Sequence, residues 1–506
     1  MKIFNPVQIQ KWDAFTIEEQ KITSLDLMER AATACFDWIC QNMTLENRTL
    51  CFFCGVGNNG GDGLVMARKF FEKGYDVCVY IVHFSAKPSQ DFEKNLKRLI
   101  DLNVDVDHLT SNHFQLELGS DSLLIDAIFG TGISRVITGF TAKLIQEINS
   151  SSKEIISIDM PSGLPTNSPL SKEQIAIKAD KTLTFQCPKL NLLLPDYANF
   201  SGEIVIIDIR LSEKYQSIES SSTYYSDFML VSSFFKKRKR FDHKGTFGHS
   251  LLIGGSYGKM GAVVLSIKAA LRIGSGLVTA FVPKCGYDIL QTSVPEAMVE
   301  VDSDAQLAYF NFKVNPSVIG VGMGMGTSDS TAEGFLRFLK HNTLPLVIDA
   351  DGINILSRNT DYLALLPPET ILTPHPGELE RLIGKWSDDY EKIDLMTTFS
   401  EKYNCILVNK GANTLVVYKK DKYFNSTGNP GLAKGGSGDV LTGMITGLLA
   451  QKYKPLIAAI MGVYLHGKAA DYALENSISE ESLIASDVIQ YVNNAFADFS
   501  SKTTKK

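Results

Sequence analysis

Long apolar runs are missing from this chain. Its richest region, "VLTGMITGLLAQKYKPLIAAIMGVYLHG" at 440–467, is interrupted by Gln, two Lys and a Pro, short of the ~18 uninterrupted apolar residues that a membrane-spanning helix needs. The amino terminus "MKIFNPVQIQKWDAF" lacks the apolar core of a secretory signal. A cytoplasmic protein with no membrane partner is expected. Cysteine is also sparse, with eight residues at 35, 40, 51, 54, 78, 187, 285 and 405, too few for a disulfide scaffold in 506 residues. Cys51 and Cys54 form a C-x-x-C, but residues three apart in a strand face opposite sides. No second Cys pair or clustered His completes a metal site, so both are read as buried free thiols. A surplus of one charge is missing as well: 50 basic residues stand against 56 acidic, and nothing in that balance calls for a nucleic acid partner. The one basic run, KKRKR at 236–240, reads as a solvated linker face.

What the chain has is glycine-punctuated alternation. From Thr49 to Ile209 an apolar run, a Gly-bearing loop and helix-like periodicity recur. The runs "LCFFC", "VCVYIV", "LLIDAIFG" and "IISIDM" are apolar on both faces, as strands of a helix-covered parallel sheet must be. Between the first two, Leu64, Ala67 and Phe71 are expected on one helical face, with Gly74 closing the helix. A polar, Ser-rich stretch marks a domain boundary near residues 212 to 225. Beyond it, "HSLLIGGSYG", "SVIGVGMGMG", "PLVIDADGINIL", "TILTPHPGELERL", "CILVNKGANTLVV" and "NPGLAKGGSGDVLTGMITGLL" repeat the pattern. The fold class is α/β, and loops at the carboxyl ends of parallel strands converge on one crevice. The final "SSKTTKK" reads as a frayed tail.

Gly55, Gly57 and Gly60 satisfy G-x-G-x-x-G, the loop that cradles a dinucleotide pyrophosphate. A redox-cofactor site also wants an acidic residue where the second strand ends. That strand ends in His83, Phe84 and Ser85, and Asp76 precedes it, which weakens the cofactor reading. Three loops carry the alternative: "GNNGGDG", "DAIFGTGISR" and "DMPSG". They offer backbone N–H groups for phosphate, side-chain oxygens on Asn59, Asp126 and Ser162, and a further carboxylate, Asp159. Oxygen-only ligands suit a hard cation, and Asp159 suits acid/base work. The bland alternative is that Asp126 and Asp159 cap helices while the glycines only turn the chain.

"NNGGDG", "DAIFGTG", "DMPSG" and "LMERAA" resemble the amino-terminal domain of the NAD(P)H-hydrate repair enzymes, the NAD(P)HX epimerases, over roughly residues 1 to 215. The resemblance implies that Asn58, Asn59, Gly60, Gly61 and Asp62 hold substrate phosphate, and that Asn59, Asp126 and Ser162 bind K+. Gly130, Thr131, Gly132, Ile133, Ser134, Arg135, Val136 and Asp159 would contact substrate, with Asp159 the catalytic acid/base.

In the second half, "GGSYGK" fails as a Walker A loop: only three residues separate Gly254 from Gly258, and Met260 stands where Ser or Thr should bind magnesium. "GGSGDVLTGMITGLL" is more informative. Its glycines precede an apolar helix whose N-terminus suits a phosphoryl group in transit, and Asp439 at its start can accept a proton. A helix N-cap would explain a lone Gly-Asp equally well. The stretch resembles the G-x-G-D anion hole of the ribokinase-like superfamily. "TPHPGE", "NKGANT" and "GNPGLAKGGSGDVL" look like the ADP-dependent NAD(P)H-hydrate dehydratases over about residues 225 to 495. That implies Lys410, Gly411, Ala412, Asn413, Thr414 and Gly438 at ADP, which brings Mg2+. Ala262, Gly324, His375 and Asp439 would contact the hydrate, with Asp439 catalytic. Lys434 and Ser437 depart from the Ala, Thr or Gly that many dehydratases carry there.

The resemblance thus implies a Rossmann-like epimerase domain over 1–220 and a ribokinase-like dehydratase domain over 225–500, acting on NADHX and NADPHX with ADP. A homo-oligomer is expected. The alternative is a small-molecule kinase of the ribokinase superfamily fused to a non-catalytic nucleotide-binding or scaffold domain.

Overall fold

The computed structural model describes residues 1–85, 87–111, 114–132, 136–171 and 173–501, so the tail from Lys502 onward lies outside the described residues. Two compact units emerge: Lys2–Ser221 with Asp388–Tyr390, and Met1 with Ser222–Ser387 and Glu391–Lys506.

The amino-terminal unit is built on seven strands: β1 (Leu50–Gly55), β2 (Val77–Val82), β3 (Val106–Leu109), β4 (Leu123–Ala127), β5 (Glu154–Ile158), β6 (Lys181–Phe185) and β7 (Glu203–Ile207). They lie in the order β3-β2-β1-β4-β5-β6-β7, and every pair is parallel. The chain winds from β1 toward β3, then returns to place β4 on the other side of β1. That reversal opens a crevice at the carboxyl ends of β1 and β4. All six residues of β1 are buried, Cys51 and Cys54 among them as free thiols, because helices cover both faces.

Five helices matter here: α1 (Pro6–Gln20), α2 (Ser24–Asn42), α3 (Asn58–Glu72), α4 (Gln90–Ile100) and α5 (Gly139–Ser150). Asn5 with Gln8, and Thr23 with Asp26, close capping boxes that start α1 and α2. On α3, Leu64 and Ala67 are buried as expected, but Phe70 completes the face and Phe71 is 38% exposed. The cause is α2: Phe36 meets Phe70 edge-on with ring centroids 4.6 Å apart, which turns the buried arc back by one residue. Gly74, at φ +85°, ends the helix, its N–H donating to Phe71 O at 2.8 Å.

The carboxyl-terminal unit contains β8 (Thr223–Ser226), β9 (His249–Ile253), β10 (Leu277–Val282), β11 (Met298–Val301), β12 (Val318–Val321), β13 (Leu346–Ile348), β14 (Ile371–Leu372), β15 (Ile406–Asn409), β16 (Leu415–Tyr418) and β17 (Asp421–Asn425). The order is β11-β10-β9-β12-β13-β14-β15-β16-β17-β8. Pairing is parallel from β11 to β15, antiparallel through β16 and β17, and parallel again to β8. A second reversal lies between β9 and β12. The helix Ser437–Ala450 is buried from Val440 to Ala450 and runs beneath that reversal against the helix Met260–Arg272. The KKRKR run is exposed, with the Arg238 guanidinium 3.8 Å from the centroid of Phe247. Among the described residues no helix is long and apolar enough to cross a membrane.

Candidate functional site

In the amino-terminal unit "GNNGGDG" is less a loop than a helix start, for α3 begins at Asn58 with Gly57 as a cap that brings no side chain. The first N–H groups of α3 are therefore left for an outside acceptor, with the positive end of the helix dipole behind them. The start is this close to β1 only because residue 60 is glycine: a Cβ there would lie 1.6 Å from Gly55 O.

At the end of β4, the Asp126 carboxylate accepts from Ser157 Oγ (2.7 Å), Ser162 N–H (2.8 Å), Ser162 Oγ (2.5 Å) and Ile128 N–H (3.3 Å). Burial pushes its pKa up, and the bonds from Ser162, Ser157 and Ile128 work against that. It is a bracket between two loops, not a helix cap. Ser162 Oγ also accepts from Phe129 N–H at 2.8 Å. Asn59 differs: its Nδ2 donates to Ile158 O at 3.2 Å, while its buried Oδ1 has no hydrogen-bond partner among the described residues. A buried amide oxygen left unpaired costs ~1–3 kcal/mol, so it marks a place where a ligand atom belongs.

Asp159 follows β5 in a left-handed conformation, φ 67°. Its Oδ1 accepts from Lys189 Nζ at 2.5 Å and Phe185 N–H at 3.3 Å. Lys189 is fully buried and also donates to Thr184 Oγ1 (2.8 Å) and Phe185 O (2.9 Å), so all three ammonium protons are engaged. Two more carboxyls face the same space. Asp13 is pushed up to about 7 by burial and then by the charge of Asp159, with Lys189 pulling it down. Asp62 is held well above the usual carboxylate range by burial, then by Asp159 and Asp13.

These groups share a cavity of about 510 Å³ walled by Asn58, Asn59, Asp62, Gly130, Thr131, Gly132 and Asp159, all anticipated from sequence, and by Asp13, Trp12, Phe84 and Lys189, which were not. Gly60 and Gly61 lie behind the wall; a Cβ on Gly61 would meet Met28 Sδ at 2.6 Å. Val136 is exposed and is not in the cavity wall, while Ile133, Ser134 and Arg135 fall outside the described residues. Among the described residues no group of three or more His, Cys, Asp or Glu is placed to hold a metal ion. A cation here would depend on neutral oxygens such as Asn59 Oδ1.

In the carboxyl-terminal unit the strand-end loops bring the anticipated residues together. Lys410, directly after β15, donates from Nζ to Asp349 Oδ1 at 2.8 Å, and a Cβ on Gly438 would lie 3.1 Å from that Nζ. Asp349, which precedes the helix Ala350–Arg358 without a side-chain capping bond to it, also accepts from Thr442 Oγ1 at 2.8 Å. Asp439 stands in the first turn of Ser437–Ala450, whose cap, Gly436, contributes no side chain. Burial raises the Asp439 carboxyl to about 7; the Asp349 charge adds to this, Lys410 opposes it, and Asp351 adds a little more. Gly324 packs on the helix Met260–Arg272, where its Cβ would lie 3.2 Å from Ala262 Cβ. Asp351 Oδ2 accepts from Gly326 N–H at 2.8 Å, with Lys259 Nζ 3.9 Å away.

His375 caps the helix Pro376–Ile383: its Nδ1 accepts from Gly377 N–H (3.1 Å) and Glu378 N–H (3.4 Å), and half of the ring is exposed. It adjoins Lys410, whose N–H donates to Pro374 O at 3.0 Å. Gly411 and Ala412 are exposed and lie with Asn413 on the turn to β16, which Thr414 Oγ1 closes by donating to Gly411 O at 3.0 Å. The two departures noted in the sequence find partners: Lys434 Nζ donates to Glu481 O, and Ser437 Oγ lies 3.3 Å from His466 Nε2. Burial lowers that imidazole to about 4, so it is neutral. Asp349, Asp351, Lys259 and His466 were not anticipated, although "DADG" after "PLVI" places two carboxylates at a strand end legibly enough.

Comparison with known proteins follows the same division. A family model described as NAD(P)H-hydrate dehydratase matches residues 250–493, and one described as YjeF-related protein N-terminus matches residues 24–191. The chain is 32% identical over 512 residues to the bifunctional NAD(P)H-hydrate repair enzyme Nnr of Moorella thermoacetica, covering 97% of this chain and 96% of that one. It is 33% identical over 490 residues to the enzyme of the same name from Coxiella burnetii, covering 96% and 97%. Among solved structures, a ribokinase-like superfamily protein from Enterococcus faecalis matches with TM-score 0.50 and 26% identity, over 56% of this chain and 98% of that one.

Proposed function

The chain belongs to the family of bifunctional NAD(P)H-hydrate repair enzymes, an epimerase joined to a dehydratase, and we propose how its residues divide the work. The amino-terminal unit, residues 1–220, interconverts the R and S hydrates of NADH and NADPH. The carboxyl-terminal unit, residues 225–500, dehydrates the S form with ADP to give NAD(P)H, AMP and phosphate. One observation carries the reading: at its topological reversal each unit sets a helix start capped only by glycine together with a carboxyl, Asp159 in the first and Asp439 in the second. A nucleotide phosphate fits the N–H groups, and a carboxyl held there fits proton transfer.

In the epimerase, the first turn of α3 binds substrate phosphate and Asp159, oriented by Lys189, moves protons at the hydroxylated ring carbon. Potassium fits the unpaired Asn59 Oδ1; Ser162 Oγ and Asp126, which hydrogen-bond each other, are the further oxygens that the resemblance implies. When bound, it would supply positive charge beside the substrate phosphate.

In the dehydratase, Asp439 accepts the proton of the substrate hydroxyl as that oxygen attacks the β-phosphorus of ADP. Lys410 and the N-terminal N–H groups of Ser437–Ala450 face the transferred charge, and AMP leaves. The phosphate ester then eliminates with loss of a ring proton, restoring the dihydronicotinamide. Mg2+ accompanies the ADP; Asp351, with one N–H donor and a lysine 3.9 Å away, offers a carboxylate oxygen of the kind it takes. Cytoplasmic residence, homo-oligomeric assembly and the lack of nucleic acid or membrane partners belong to the same proposal.

The test supplies a mixed-epimer hydrate with ADP, magnesium and potassium and follows the absorbance of reduced nicotinamide. Recovery of both epimers is expected. Recovery that stalls once the S form is exhausted, after correction for spontaneous epimerisation, would mean an inert first unit. Recovery of neither epimer would remove the dehydratase. The kinase alternative is disfavoured by relatives that carry the repair name over nearly the whole chain.

A further inference from the structure

Inversion at the hydroxylated ring carbon makes a demand that one carboxyl does not meet. That carbon is bonded to the ring nitrogen, whose lone pair expels the hydroxyl once a proton reaches its oxygen. The C–O bond breaks, its electron pair leaves on oxygen, and water departs from one face. Water then adds to the other face and gives up a proton there. One face needs an acid and the other a base.

Asp159 is tethered to one place by Lys189 and Phe185 N–H. α1 contributes a separate part of the cavity wall through Ile9, Gln10, Trp12 and Asp13. Its orientation is locked by Trp12, which is 1% exposed, donates its indole N–H to Ser212 O at 2.8 Å and packs against Phe4 and Tyr215. The next residue, Asp13, is thereby turned into the cavity. Its carboxyl has no hydrogen-bond partner among the described residues, and the one buried ammonium nearby is fully committed to Asp159, Thr184 and Phe185. An unpaired carboxyl on a rigid helix, aimed into a substrate-sized cavity, has no structural employment there.

We propose that Asp13 is a second catalytic acid/base of the epimerase, serving the ring face opposite to the one served by Asp159. The inference rests on the epimerase reading given above. In one direction protonated Asp13 supplies the proton that leaves with water, and Asp159 accepts the proton of the water that adds; the reverse direction exchanges the roles. No oxidant or reductant enters. The charged groups facing Asp13 are Asp159 and Lys189 from the sheet loops and Asp62 from α3, with the Cys187 thiol the further titratable neighbour. Burial and the Asp159 charge favour the neutral acid. Asp62, 8% exposed and in the turn that holds the phosphate, is the internal comparison.

The experiment uses the full chain and purified R-hydrate without ADP, in heavy-oxygen water, with R-to-S conversion resolved by chromatography; ADP-dependent dehydration of S-hydrate and thermal melting check the fold. We expect Asp13→Asn to lower the kcat of epimerisation ~100-fold or more with KM nearly unchanged. It should also erase the limb of the native pH profile near 7, and Asp13→Glu should restore part of the rate. Each native inversion should install one solvent oxygen. Retention of the original oxygen, or an Asp13→Asn kcat within about threefold of native, overturns the proposal. So does an Asp13→Glu variant that melts like the native chain but is as slow as Asp13→Asn. A native chain that does not epimerise overturns the epimerase reading itself, whereas an active native chain with an equally active Asp13→Asn overturns only the second acid/base.

Discussion

Asp439→Asn keeps the size and helix position of the side chain and removes its ability to take a proton. A positioned general base is worth roughly 10²–10⁴ in rate, or about 3–5 kcal/mol of barrier, and that is the expected loss in kcat for dehydration of S-hydrate. The pH dependence follows from the environment. With the native carboxyl at about 7, dehydration should fall about tenfold per pH unit below 7 and level off above it. Lys410 opposes the upward shift, so Lys410→Met should move that limb to higher pH as well as weaken ADP binding. The stability consequence has a definite sign. The folded protein holds the proton between 3.8, the ordinary value, and about 7, where the unfolded chain has released it. Stability is therefore full below 3.8 and is lost as pH rises through about 7. The Asn variant does not titrate, so at pH ~8 it should melt no lower than the native chain while being nearly inactive. Steady-state appearance of reduced nicotinamide and thermal melts at several pH values check both. An Asn variant within tenfold of native, or a native rate that is flat below pH 7, would refute the role.

Other outcomes follow from particular contacts. Lys189→Met leaves Asp159 buried without its ammonium and should cost ~3–5 kcal/mol in denaturant unfolding of the amino-terminal unit, with epimerisation lost and dehydration of S-hydrate kept. Gly60→Ala drives a methyl group to 1.6 Å from Gly55 O, so the start of α3 must move; epimerisation should disappear and the unit should lose at least ~2 kcal/mol. Replacing potassium with choline should slow native epimerisation, and Asn59→Leu should be equally slow in either salt; a native rate indifferent to the exchange would remove the ion from the account.

The strands were legible because burial on both faces leaves near-continuous apolar runs: "LCFFC" and "VCVYIV" became β1 and β2. Periodicity placed α3 but missed its buried face by one residue, since nothing in the local sequence announces that α2 will lie across Phe70. The glycine-rich start of α3 and the Asp126 bracket were visible because each sits at a strand end, where glycine and carboxylate stand out from apolar neighbours; the Asp439 turn was visible because glycines stand directly before an apolar helix. Asp13 and Lys189 were not visible. One is an acid in the middle of α1, a helix that also carries Glu18 and Glu19 and has no marked apolar periodicity, the other a lysine after β6, and only the fold brings them to Asp159. His375 shows the reverse case: the resemblance singled it out, and the structure uses its Nδ1 to cap a helix while Nε2 lies 3.4 Å from Glu378 Oε1.

The most direct test of the central claim gives purified R-hydrate of NADH to the native chain with ADP, magnesium and potassium, and counts products. Complete conversion is expected, with one AMP and one phosphate for every NADH formed. A stable phosphorylated nicotinamide product, or ADP left unconsumed while the hydrate persists, would contradict it.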